Sequence, residues 1–105
     1  MIQVSILYAQ QDDGSFDEKY YLEKHMPLVR ERLTPRGLRR DEVCKGVSAP
    51  DPSKPPQYGY MCYLYFDTVE EVHQAFMAEG RDLMGDIPNY TNVKPLIQIS
   101  ETLAD

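Results

Sequence analysis

The run Tyr58-Gly59-Tyr60-Met61-Cys62-Tyr63-Leu64-Tyr65-Phe66 constrains this chain more than any other stretch, because both alternating sets of its side chains are apolar or aromatic. Successive side chains of a strand point to opposite faces, so Tyr60, Cys62, Leu64 and Phe66 share one face and Met61, Tyr63 and Tyr65 the other. A strand of this kind needs cover on both sides and belongs in the middle of a sheet.

The segments around it supply the rest of that sheet and two helices. Residues 2 to 9, Ile-Gln-Val-Ser-Ile-Leu-Tyr-Ala, begin with apolar and polar residues in alternation and read as a strand. After a turn at 10 to 14, Ser15 with Glu18 matches a capping box and predicts a helix over about 16 to 33. Helical spacing puts Tyr21, Leu22, His25, Met26, Leu28, Val29 and Leu33 in one arc, which should face the sheet. Pro27 should kink this helix near Glu23. Pro35 and Gly37 end it, and residues 41 to 47 read as a short, charged edge strand. Residues 48 to 57 carry four prolines and form an extended loop. Beyond the long apolar run, Thr68 and Glu71 form a second capping box. Val69, Val72, His73 and Phe76 follow at helical spacing up to Gly80, a C-terminal stop. Residues 81 to 92 read as a short turn of helix or an irregular loop, and 93 to 100 as a last edge strand with Pro95 near its start.

The order β-α-β-β-α-β is the split βαβ arrangement of a ferredoxin-like α+β domain, with a four-stranded antiparallel sheet whose first and third strands are central. At 105 residues the chain is read as a single domain, residues 1 to 105. Two helices cover only one face of such a sheet. The other face carries Met61, Tyr63 and Tyr65 from the third strand and Leu7 and Ala9 from the first, a patch that monomers seldom expose. A homodimer is the expected lid; the alternative is a monomer whose tyrosine hydroxyls lie in water.

Several function classes are excluded by composition. A net charge of -6 repels polyphosphates, and the basic cluster at Arg36 to Arg40 lacks interleaved aromatics, so no nucleic-acid partner is expected. No apolar stretch approaches the roughly 20 residues of a membrane span. No secretory signal is visible after Met1, and a cytoplasmic location is expected. Cys44 and Cys62 are read as free thiols, and neither they nor His25 and His73 have metal-ligand spacing. No metal and no cofactor are expected.

His25 is the residue that can carry chemistry. It lies in the apolar arc, where an imidazole is costly unless hydrogen-bonded or set in a cavity, and it titrates near neutral pH. Tyr21, four residues earlier on the same side, can line that cavity or orient the ring. Asp86 and the segment Ile87-Pro88-Asn89-Tyr90-Thr91 can close one end of a pocket. A hydrogen-bonded core histidine is the alternative. His73 is read as structural or partly exposed.

The pattern Phe16…Tyr20-Tyr21…His25-Met26-Pro27-Leu28 after a first strand, with a late Asn89-Tyr90-Thr91, resembles the EthD (ethyl tert-butyl ether degradation) family of the dimeric α+β barrel superfamily. The resemblance implies a homodimer whose two sheets pack face to face, with a pocket between helices and sheet into which His25 looks. It also implies a role beside oxidative degradation pathways. Relatives include cofactor-free isomerases of muconolactones, polyketide-tailoring enzymes and quinone-forming monooxygenases. The expected function is therefore a cofactor-independent enzyme acting on a small apolar carbonyl, lactone or aromatic compound, with His25 as acid and base and Tyr21 or Asp86 orienting the substrate. A non-catalytic binding or accessory protein is the alternative.

Overall fold

A computed structural model describes residues 1–105. The doubly apolar run is strand β3, Tyr58–Phe66, and it lies inside a four-stranded antiparallel sheet of order β2-β3-β1-β4. Strands β1 (Ile2–Ala9), β2 (Arg40–Lys45) and β4 (Leu96–Glu101) complete the sheet. The chain thus has the expected ferredoxin-like α+β topology. The register sets Ile2, Val4, Ile6 and Tyr8 opposite Phe66, Leu64, Cys62 and Tyr60 on the face that the helices cover. Burial of these side chains against Met26, Val29, Leu33, Val72 and Leu83 forms one core. No helix is long and apolar enough to cross a membrane.

The opposite face is more mixed than the sequence suggests. Across β4, β1, β3 and β2 one row reads Leu96, Leu7, Met61 and Cys44, which is apolar. The next rows read Gln98, Ser5, Tyr63, Glu42 and then Ser100, Gln3, Tyr65, Arg40. Tyr65 is buried beneath the Arg40 guanidinium, 3.8 Å from its ring centre, and its hydroxyl accepts from Gln3 at 3.0 Å. The edge strands and β1 therefore contribute polar groups that a reading of β3 alone does not see.

The first helical arm departs from the expected regular helix. It consists of α1 (Glu18–Tyr20), a π-helical turn (Tyr21–His25) and α2 (Met26–Leu33), followed by a 3₁₀ turn, Thr34–Arg36. Its N-cap is Asp17, whose carboxylate accepts from the Tyr20 N–H, and not Ser15, whose own N–H donates to Asn92 Oδ1 across the chain. In the π turn the Met26 N–H reaches back five residues to the Tyr21 carbonyl. Pro27, next in line, has no N–H to continue the ladder, so the helix widens by one residue where a kink is expected. The extra residue shifts the buried stripe: Tyr21 and His25 face inward while Leu22 is 47% exposed, outside the arc assigned to it.

The second helix, α3, runs Val69–Asp86. Thr68 and Glu71 form the capping box that the sequence predicts. Gly80 does not end it; the helix passes through and gains six further residues, because Leu83 beyond it is buried in the core. A glycine inside a helix costs about 0.5–1 kcal/mol relative to alanine. A Cβ at Gly80 would meet Phe76 at 3.8 Å, an ordinary contact. Gly80→Ala is accordingly expected to raise stability by about 0.5–1 kcal/mol in a urea titration. Strand β2 spans 40–45 and not 41–47. Strand β4 starts at Leu96 and not 93, because Pro95 precedes the ladder and Val93 is buried in the approach to it.

Candidate active site

The extension of α3 brings its last residue, Asp86, to the wall of the molecule where the π turn presents His25. His25 is 6% exposed, and its Nδ1 lies 2.9 Å from Oδ2 of Asp86. Burial is the larger influence on the imidazole and lowers its pKa below 6.5, although the carboxylate partly opposes this. Burial also acts on Asp86, raising its pKa, but hydrogen bonds from Asn89, His25 and Tyr20 outweigh it and leave the carboxyl below its ordinary 3.8. At neutral pH the pair is therefore a neutral imidazole and an anionic carboxylate. A carboxylate only accepts, so Nδ1 carries the proton and Nε2 a lone pair.

That lone pair is met by a second buried chain. The Tyr90 hydroxyl is 3.3 Å from Nε2, and the Tyr8 hydroxyl is 2.5 Å from that of Tyr90. The polarity follows from the tautomer: Tyr90 donates to Nε2 and Tyr8 donates to Tyr90. Burial pushes both phenols up, Tyr8 to about 12, so each stays protonated at neutral pH. Tyr90 is fixed by its backbone, since its carbonyl accepts from the Asp17 N–H at 2.7 Å and Thr91 Oγ1 donates to the Ser15 carbonyl at 2.6 Å.

Tyr21 stacks on the imidazole, ring centres 5.6 Å apart and planes 16° from parallel. The wide turn lets residues four apart lie nearly over one another. Its phenol lies by the Cys62 thiol, which burial raises to about 12, and not in the His25 hydrogen-bond chain. Phe16 and Tyr60 stack at 3.7 Å behind it. Of the residues singled out from sequence, His25 and Asp86 are brought into contact, Tyr21 forms the aromatic wall, and His73 is exposed. Tyr8, which the sequence does not single out, and Tyr20, which stands in the family pattern with no role assigned to it, are also part of the site; their partners lie 82 and 66 residues away.

A cavity of about 40 Å³ adjoins His25 and Tyr8, walled by Ile6, Val29, Leu64 and Leu83. Met84 and Ile97, 47% and 44% exposed, also line it, so its mouth lies between the end of α3 and the edge strand β4. At this volume the cavity holds a few water molecules, and a ring-sized ligand enters only when Met84 and the Tyr90 side chain turn aside. No three His, Cys, Asp or Glu side chains converge in the fold to hold a metal.

Residues 13–94 match the sequence model of the EthD domain. This chain belongs to the EthD family. An EthD-like protein from Ralstonia eutropha JMP134 is 34% identical, with a TM-score of 0.92 over 99% of this chain and 93% of that one. An ethyl tert-butyl ether degradation (EthD) family protein from Bacillus halodurans C-125 is 26% identical, with a TM-score of 0.70 over 98% and 99%. HapK from Hahella chejuensis shares the fold at 13% identity, with a TM-score of 0.61 over 100% and 95%. No curated protein matches the sequence significantly.

The shifted pKa values of His25 and Asp86 make the stability of the fold depend on pH. Because the folded pKa of His25 lies below 6.5, the unfolded chain binds the extra proton first as the pH falls. Stability contributed by the neutral imidazole is therefore present above about pH 6.5 and is lost below it. Asp86, with its folded pKa depressed, adds a second loss below about pH 4. Urea midpoints of wild type and His25→Gln should converge as the pH is lowered from about 7 to about 5. A constant separation would show that His25 does not titrate differently in the two states.

Proposed function

We propose that this EthD-family chain is a cofactor-independent enzyme in which His25 moves a proton on a small apolar carbonyl, lactone or aromatic compound in a catabolic pathway. The observation that carries the reading is the Nε2 lone pair of a buried imidazole, oriented by Asp86, beside an apolar cavity. An aspartate at the C-terminal end of a helix faces carbonyl dipoles that disfavour it by about 0.3–1 kcal/mol, so this one is a poor choice for stability alone. The substrate enters past Met84, a flexible side chain, and Ile97, and takes the place of Tyr90 at Nε2. Tyr21 backs the imidazole and limits its tilt.

A thermal-shift screen of aromatic, ketone and lactone metabolites tests this reading. Compounds that stabilise the wild type and fail to stabilise His25→Ala support it; a screen in which His25→Ala responds as the wild type does removes it. The second reading, a binding or accessory protein, is favoured by the absence of any buried side-chain N or O atom without a partner. It predicts ligand binding with no chemical change to the ligand.

The same reading includes a homodimer formed through the open sheet face. The apolar row Leu7, Leu96, Met61 and Cys44 lies at one end of it, and Leu96 is 58% exposed. Light scattering after size exclusion is expected to give twice the 12.1 kDa chain mass, and Met61→Lys to shift it to the monomer. A monomeric wild type at micromolar concentration would contradict this.

A further inference from the structure

The carboxylate of Asp86 is held by more than its histidine. Oδ2 faces Nδ1 of His25, while Oδ1 accepts from the Tyr20 hydroxyl at 2.7 Å and from Nδ2 of Asn89 at 2.9 Å. These donors come from two separate elements: Tyr20 ends α1, and Asn89 ends the 3₁₀ turn Ile87–Asn89. Asn89 Nδ2 also lies 3.4 Å from the Tyr20 hydroxyl, which closes a small ring of contacts around Oδ1. The Tyr20 ring lies over that of Tyr90, 6.3 Å away and 20° from parallel. One residue thus touches the groups on both sides of the imidazole.

The arrangement solves a mechanical problem. Asp86 stands at the end of a helix, and its side chain retains 13% exposure, so water competes with His25 for the carboxylate. Two donors on Oδ1 remove the freedom of the group to turn outward and leave Oδ2 aimed at Nδ1. The hydrogen-bond partners of the imidazole are Asp86 and Tyr90, with the Tyr21 ring stacked on it and the Tyr8 hydroxyl one step beyond. Those of the carboxylate are His25, Tyr20 and Asn89, so no second charged side chain bonds to either group.

We propose that Tyr20 and Asn89 are positioning residues that lock the Asp86 carboxylate onto Nδ1 of His25 and thereby keep the imidazole in the tautomer whose Nε2 is free to take a proton. This inference rests on the reading of His25 as the base. A histidine without such a partner favours the opposite tautomer, with the proton on Nε2, which cannot accept. Loss of the clamp therefore disarms the base without removing it.

The test reads the tautomer directly, by long-range proton–nitrogen NMR correlation on the ¹⁵N-histidine-labelled full chain at neutral pH. Exposed His73 supplies the unrestrained reference within the same spectrum. Wild-type His25 is expected to show Nε2 unprotonated. Tyr20→Phe keeps the ring on Tyr90 and loses only the hydroxyl, and Asn89 is exposed, so the double variant Tyr20→Phe/Asn89→Ala retains the packing. In it, about half or more of His25 is expected to carry its proton on Nε2, with each single variant intermediate. Asp86→Ala fixes the signature of full release. If Asp86→Ala changes the tautomer and neither the double nor the single variants do, the clamp proposal fails while the base reading stands. If Asp86→Ala itself leaves the tautomer unchanged, the orientation on which both depend is wrong. A merely structural role would lower the melting temperature and leave the tautomer as in the wild type.

Discussion

His25→Gln is expected to lower kcat/KM for a compound turned over by this chain by about 100- to 10,000-fold, the usual contribution of a positioned acid or base. Glutamine fills similar space and retains a group that can donate to Asp86, so the fold is expected to persist and KM to change little. The amide oxygen of glutamine can still accept from a ligand in place of Nε2, so a loss in kcat with KM nearly constant marks loss of the proton transfer alone. The pH profile of the wild type should rise to a plateau above the His25 pKa. That pKa lies below 6.5, because burial disfavours the charged ring, so neutral solution already holds the active form. Steady-state rates of wild type and variant from about pH 5 to 8 provide the check. A variant with the wild-type rate would assign the chemistry to another group.

Phe66→Ala is expected to cost about 3–5 kcal/mol of stability. Phe66 has no exposed surface, closes β3 opposite Ile2, and lies in the core that both helices cover. Its removal leaves a cavity that the close-packed sheet and helices cannot collapse into. Domains of this size are stable by only about 5–15 kcal/mol, so the variant should unfold at a much lower urea midpoint with an unchanged slope. A loss under about 1 kcal/mol would mean that the β3–helix interface is looser than the structure has it.

The contrast between these two residues explains what could be read from sequence. Phe66 is legible because strand alternation is local: the pattern of β3 fixes which of its side chains share a face, and the topology follows from placing that strand centrally. The Thr68–Glu71 cap is legible for the same reason. The site is not local. Tyr8 and Tyr90 meet across 82 residues, and Tyr20 reaches Asp86 across 66. Two backbone features bring these groups together. The π turn rotates His25 relative to a regular helix and expels Leu22, and a missing N–H at Pro27 shows where the ladder is interrupted without showing that it widens. The passage of α3 through Gly80 depends on burial of Leu83, which outweighs the local cost of the glycine. Without that extension Asp86 would sit in a loop and the carboxylate would have no fixed relation to the imidazole.

The buried pair is expected to take protons from carbon acids bound at the cavity. Exchange of the α-protons of small enolisable ketones and lactones into deuterium oxide, followed by proton NMR at neutral pH, measures this directly, whatever the natural substrate. The wild type is expected to accelerate exchange of at least one such compound above the buffer rate, and His25→Gln to return it to the buffer rate. Exchange that is as fast with His25→Gln as with the wild type, or no acceleration by the wild type across the set, would contradict it.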